Sequence, residues 1–298
     1  MSRARFIALF VALGAPSLGA AQEAPPAPAS AAAAPAPDKS GFTLLNPTPV
    51  ADLRALCTDR PTKSTSPCTV DAGHLQAESD GVNVTYDRSN GVNTTTTLVT
   101  NPTVKLGLTN TLDAELNLSP YEIVTARDRA TGQKSRASGP GDLFVRMKWN
   151  LLGDDGGNLA FALVPYVKLP TAESPIGNGA VEEGIITPVS INLPLNWQLV
   201  IDPELDVLRN AADSGRHANA SGLLSFSRPV SKTVTLSVEG WADENFDPQG
   251  HVTQVSADFG AAWIPAAHPN FQLDGGVNFG LNSQTPAAQI YFGLSRRF

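Results

Sequence analysis

From about His74 to the last residue, apolar and polar side chains exchange places at every second position, in short runs separated by turn-rich segments. A period of two sends successive side chains to opposite faces of a strand, so these runs predict strands with one apolar and one polar face. Leu143, Val145, Met147 and Trp149 share one face, and Phe144, Arg146, Lys148 and Asn150 the other. Leu112, Ala114, Leu116 and Leu118 oppose Asp113, Glu115, Asn117 and Ser119. Trp197, Leu199, Ile201, Leu205 and Val207 oppose Gln198, Asp202, Glu204 and Asp206. Val255, Ala257, Phe259 and Trp263 oppose Ser256, Asp258 and Gly260, and Phe271, Leu273, Val277 and Phe279 oppose Gln272, Asp274 and Asn278. There are about twelve such runs of roughly 10 to 14 residues, the length a tilted strand needs to cross an outer membrane. The strands of a soluble sandwich are shorter, typically about 5 or 6 residues.

The connections alternate in length, as in an outer-membrane barrel with tight periplasmic turns and longer outer loops. Thr109 to Thr111, Leu152 to Asn158, Pro194 to Asn196, Arg228 to Lys232 and Pro265 to Asn270 read as turns. Ala126 to Pro140, Pro170 to Gly184, Arg209 to Arg216 and Asp243 to His251 read as longer loops. With that topology Trp149, Trp197 and Trp263 fall at periplasmic strand ends on the apolar face, where an aromatic belt belongs. Trp241 has the opposite parity and points inward, while Tyr86, Tyr121 and Tyr166 fall toward the other rim. Ile290, Phe292, Leu294 and the terminal Phe298 form an alternating last strand, interrupted by Arg296, that resembles the signal read by the barrel-assembly machinery of outer-membrane proteins.

The predicted fold is therefore an all-β, antiparallel transmembrane β-barrel over residues 74–298. The N-terminus fits this destination. Arg3 and Arg5 precede an apolar run from Phe6 to Ala15, and Leu18 to Ala21 supplies small residues for cleavage, so residues 1–21 read as a signal peptide. That run is too short to span a bilayer as a helix, which takes roughly 20 residues. Residues 22–40 are nearly all Ala and Pro and read as a disordered tether. Residues 41–73 form a separate segment, either a hatch folded into the lumen or a periplasmic extension.

Charged residues make up only 16% of the chain, against about a quarter in soluble domains. A formal net charge of −7 and the lack of any basic cluster exclude a nucleic-acid surface. Cys57 and Cys68 are the only cysteines. In an oxidising compartment they read as a disulfide that closes a small loop.

Thr58-Asp59-Arg60-Pro61 with Ser66-Pro67, Gly73 and Glu78 is similar to the opening of the MetA-pathway of phenol degradation family of outer-membrane transporters. Gly141-Asp142-Leu143 through Arg146 and Lys148-Trp149-Asn150, and Pro165 to Thr171 with Lys168-Leu169-Pro170, resemble its middle strands. The resemblance covers much of residues 58–171 and implies an outer-membrane barrel and, for some members, uptake of aromatic or other hydrophobic compounds. It implies no catalytic motif, and the cysteine pair is not part of its pattern.

Nothing in the remaining sequence points to catalysis, a metal or a cofactor. His74, His217, His251 and His268 sit near strand ends or in connections, without a Ser or carboxylate spaced for a triad. Asp154 to Asn158 reads as a turn with locally hydrogen-bonded aspartates, because it lacks the further acidic ligands of a calcium loop. The inward face carries Lys105, Asp113, Glu115, Arg146, Lys148, Lys168, Asp202, Glu204, Asp206, Asp258 and Asp274. These are candidate lumen-lining residues, either of a wet conducting pore or of an interior filled by paired charges. The expected function is passive passage of small molecules, hydrophobic or aromatic ones among them, across the outer membrane of a Gram-negative bacterium. The expected partners are the lipid bilayer, the assembly machinery and a small solute, with the Ala126 to Pro140 loop governing entry. A non-conducting structural or adhesive barrel and a soluble periplasmic ligand-binding β-sandwich are the alternatives.

Overall fold

The computed structural model describes residues 38–212 and 214–298. The predicted signal peptide, and the predicted tether up to residue 37, lie outside the described residues. The strands are β1 (Leu75–Asp87), β2 (Val92–Val99), β3 (Thr103–Thr109), β4 (Leu112–Leu118), β5 (Tyr121–Asp128), β6 (Lys134–Gly139), β7 (Leu143–Leu152), β8 (Leu159–Leu169), β9 (Glu182–Ile186), β10 (Val189–Leu193), β11 (Trp197–Arg209), β12 (Arg216–Pro229), β13 (Val234–Asn245), β14 (Val252–Trp263), β15 (Phe271–Gly280) and β16 (Ala288–Arg297). They form one antiparallel sheet that closes where β16 pairs with β1, from Gln76 opposite Arg297 to Tyr86 opposite Ala288. Four pairs of segments share a single stave, namely β2 with β3, β4 with β5, β6 with β7 and β9 with β10, so the wall has 12 staves.

Each of those four breaks contains a proline: Pro102, Pro120, Pro140 and Pro188. Proline has no amide hydrogen to give to the ladder, so pairing stops there and restarts beyond it. Three of the breaks lie side by side. The Leu118 amide donates to Pro102 O and the Gly141 amide to Ser119 O, while the Thr100 amide donates to Gly81 O on β1. At that level β1 shifts register between Asp80 and Val82. Inward positions change there from Gln76, Glu78 and Asp80 to Asn83. A line of interrupted pairing therefore crosses four staves, and the ends of β1, β2, β5 and β6 form a sheet extension beyond it.

Most buried side chains are polar or charged, whereas Leu116, Leu205, Leu224, Phe259, Phe279, Ile290 and Phe292 lie exposed on the outside. This inverts the arrangement of a water-soluble protein. It is the pattern of strands with lipid on one face and a polar interior on the other. Closure with this polarity rules out the β-sandwich alternative. Among the described residues no helix is long and apolar enough to cross a membrane.

The short turns occur where the alternation places them, between β3 and β4, β7 and β8, β10 and β11, β12 and β13, and β14 and β15. One loop differs. Ala126 to Pro140 is largely strand, because β5 runs on to Asp128 and β6 starts at Lys134, so residues 129–133 alone form the turn. Its weakly alternating polar residues hid the hairpin, which a free loop of that length would not form.

Candidate functional site

Inside the wall, residues 53–73 are held by inward side chains of β1, β3, β4, β7, β11, β13, β14, β15 and β16. Asp59, Arg60 and Lys63 each make ion pairs with the wall, and Asp71 meets Arg297 of β16 at 3.0 Å. Asp59 meets Lys148 Nζ at 3.0 Å and also pairs with Lys105. Those lysines are shared with Glu115, 3.2 Å from Lys148 Nζ, and Glu78, 2.6 Å from Lys105 Nζ. Arg60 reaches Asp274 at 2.7 Å and also pairs with Asp80. Lys63 reaches Asp258 at 3.2 Å and donates to Ser256 Oγ at 2.8 Å, with its ammonium 4.3 Å from the centre of the Trp241 ring. Trp241 thus faces inward, as its parity requires.

Wall carboxylates also hold this segment by its main chain. The Asp59 amide donates to Glu78 Oε2 at 3.0 Å, Lys63 to Glu239 Oε2 at 2.9 Å, Thr65 to Asp202 Oδ2 at 2.6 Å and Val70 to Asp113 Oδ2 at 2.9 Å. Charged acceptors make such bonds short and strong. A backbone crossing the lumen has no ladder partner, so these carboxylates satisfy amides that would otherwise be left buried and unpaired. The Cys57–Cys68 disulfide closes the stretch that carries Asp59, Arg60, Lys63 and Thr65. At Gly107 of β3 the wall has no side chain, and a Cβ there would collide with the carbonyl oxygens of Val70 and Asp71.

The segment enters at the short-turn rim. Lys39 is buried and pairs with Asp71 and Asp155, each at 3.4 Å, so the predicted tether is anchored before its expected end at Ser40. Arg54 contacts Asp154 at 2.6 Å, Asp155 at 3.1 Å and Asn110 Oδ1 at 2.6 Å. Asp154 also accepts the Thr69 amide at 3.0 Å. The Asp154 to Asn158 segment is a turn, with Gly153, Gly156 and Gly157 at positive φ, but its aspartates reach the inner segment rather than their own backbone.

Burial pushes the Asp59 carboxyl upward, and the Lys105 and Lys148 ammonium groups outweigh it, leaving Asp59 well below the usual carboxylate range. Burial disfavours the Arg60 charge, yet Asp274 and Asp80 more than compensate and hold its guanidinium above its ordinary value. Burial raises Asp154 despite the opposing pull of Arg54.

Beyond this plug, toward the long-loop rim, lies a second layer of inward side chains that pair mainly with one another. Tyr166 donates to Asp206 Oδ1 at 2.6 Å, and Arg146 stacks near the Phe144 and Tyr166 rings. Lys168 pairs with Glu182 at 2.7 Å and Asp142 at 3.2 Å. On the opposite side, a cavity of about 310 Å³ opens between the plug and the short-turn ends of β11 to β14. It is lined by hydroxyl and amide groups such as Ser225, Ser237, Thr62 and Gln272, with Val200, Pro61 and Ile264 between them.

A family model described as "Putative MetA-pathway of phenol degradation" matches residues 58–298. The chain belongs to this family. No curated protein matches the chain. Among solved structures, an outer membrane channel from Pseudomonas putida F1 is 12% identical, covering 81% of this chain and 100% of its own, with a TM-score of 0.62. The beta domain of the Bordetella autotransporter BrkA is 13% identical, covering 76% of this chain and 99% of its own, with a TM-score of 0.50. With its apolar exterior, this family member is a barrel of the bacterial outer membrane.

Within the family fold, the eleven predicted inward residues fall into two groups. Lys105, Asp113, Glu115, Lys148, Asp202, Asp258 and Asp274 lie in the plug-bound layer, and Arg146, Lys168, Glu204 and Asp206 in the outer layer. Trp149, Trp197 and Trp263 are exposed at the short-turn rim. Of the three tyrosines expected at the opposite rim, Tyr86 and Tyr121 are exposed outside. Tyr166 instead faces the interior, because its parity follows Phe144 and Arg146 across the β7–β8 ladder. Ile290, Phe292, Leu294 and Phe298 face outward, and Arg296 lies 4.9 Å from the Phe298 ring centre. The pattern of single strands did not reveal Arg54, Asp59, Arg60, Lys63, Glu78, Asp80 and Glu239 as one constellation. Parity does mark Glu78 and Asp80, which alternate with Leu75, Ala77 and Ser79. His74 links Thr48 O at 2.8 Å with Phe298 O at 3.0 Å. Among the described residues no group of three or more His, Cys, Asp or Glu is placed to hold a metal ion.

Proposed function

We propose that the chain is a passive outer-membrane channel whose bore is set by its own N-terminal segment. The observation that carries this reading is the seating of residues 53–73 on inward charges around the lumen. A pore of this strand number lies between narrow barrels filled by side chains and wide porins of about 16 to 18 strands. The plug reduces the open section to clefts such as the 310 Å³ cavity beside β11 to β14. That cleft combines hydroxyl donors and acceptors with a few apolar side chains. It suits small, weakly polar solutes, simple phenols among them, which agrees with the family's description. No energy source or catalytic group is invoked.

Liposome swelling with purified, heat-modifiable protein tests the reading. Small phenols and short diols should enter faster than disaccharides. Equal exclusion of every solute by folded protein would contradict it. That result would favour a non-conducting scaffold, the reading supported by the paired charges that fasten the plug.

A further inference from the structure

The extension formed by the ends of β1, β2, β5 and β6 carries a basic face that the channel reading does not use. Arg127 on β5 is directly opposite Lys134 on β6, and Thr125 opposite Arg136. On the other side of β5, Arg127 is opposite Asn93, Thr125 opposite Thr95 and Tyr121 opposite Val99. Tyr86 of β1 is opposite Thr95, and Val82 opposite Val99. Directly opposed residues share a face, so Arg127, Lys134 and Arg136 lie on the same outward side as Val82, Tyr86, Val99 and Tyr121. All seven are exposed. Away from the short-turn rim, the outward face of this wall has Val82, Val99 and Tyr121 on one rung, then Tyr86 level with Arg136, and beyond them Arg127 and Lys134.

Like charges directly across a ladder destabilise it, since their Cβ atoms lie only about 5 Å apart. Among the described residues, no carboxylate on this face offsets the Arg127 and Lys134 pair. The nearby Asp128 faces the other way and caps its own turn, accepting the Thr131 amide at 2.7 Å, and Asp87 accepts the Ser89 amide at 2.9 Å. Positive charge on the free edge of β6 would block edge-to-edge pairing. That function does not require Arg127, which sits on an internal strand between β2 and β6. A small free anion is also a poor match, because the three side chains stand on an open surface and enclose nothing.

We propose that Arg127, Lys134 and Arg136 form a docking surface for the phosphate groups of the outer-leaflet glycolipid. Exposed tyrosines on a membrane protein mark the headgroup level, and the cations continue that face outward to where clustered phosphates are presented side by side. Basic residues at an anionic membrane surface are each attracted to it, and the attraction weakens with salt.

The full-length protein, purified in neutral detergent, is titrated with micelles containing bisphosphorylated lipid A, the same lipid without its phosphates, or inorganic pyrophosphate alone. Wild type should bind the bisphosphorylated lipid about tenfold or more tightly than the dephosphorylated one. The combined Arg127→Gln, Lys134→Gln and Arg136→Gln variant should lose about tenfold in affinity, the sum of three exposed charge pairs of ordinary strength. Arg228→Gln, on the short-turn rim, should bind like wild type. Heat-modifiable migration reports folding, and the single Arg127→Gln variant and the phosphate-free lipid give the same test without the triple change. Unchanged affinity in the folded variants, indifference to the lipid phosphates, or pyrophosphate binding as tight as lipid A binding would each overturn the proposal.

Discussion

Asp59 holds two lysines of the wall at once and also accepts the Ser66 amide at 2.7 Å. Removing one member of a buried ion pair costs about 3–5 kcal/mol, because its partner stays buried without a counter-charge. Glu78 and Glu115 remain beside Lys105 and Lys148, so Asp59→Ala should loosen the seat by a smaller amount, about 2 kcal/mol. Tryptic cleavage after Arg54 and Lys63 in the folded barrel should be slow in wild type and faster in the variant, and equal rates would show that the seat does not depend on this carboxylate. The same residue sets a pH dependence. Its carboxyl is depressed in the folded state, so its stabilisation is complete above the usual carboxylate range and is lost as pH falls through the depressed folded value. Conductance should stay level from about pH 8 to about pH 5 and rise only below about pH 4. A rise near neutrality would point to another group.

At the scale of elements, the disulfide and the proline breaks do different work. The Cys57–Cys68 bond joins residues 11 apart and restricts the loop that contains the wall contacts. Closing a loop of about 15 residues contributes about 3 kcal/mol in the chain-entropy view. Reduction, or Cys57→Ser with Cys68→Ser, should therefore increase current noise and mean conductance without shifting the heat-modifiable band. No change in current would mean that the carboxylate contacts alone fix the loop. The prolines divide staves that single-strand periodicity reads as continuous. Alternation on either side of Pro120 is intact, so that run was legible and its interruption was not. At Gly81 the register shift reverses parity within β1, which a strict period of two cannot follow. The Ala126 to Pro140 hairpin escaped notice because both faces of it are polar.

At the scale of the molecule, the lipid-facing side was legible because each apolar residue there answers to the same solvent, independent of its neighbours. The plug was not, because its contacts join residues far apart in the chain: Arg60 and Asp274 are separated by 214 positions. Period and parity describe one strand at a time and contain no information about which inward carboxylate a distant arginine will meet. The family motif Thr58-Asp59-Arg60-Pro61 marked the segment, and its chemistry became clear only when the closed wall placed Asp80, Lys105, Lys148 and Asp274 around it. The central claim, that this segment sets the bore of a closed barrel, is tested most directly by single-channel conductance in planar bilayers. Wild type should give small, steady currents and Asp59→Ala larger ones with the barrel still folded. Identical currents from the two proteins, or none from either, would contradict it.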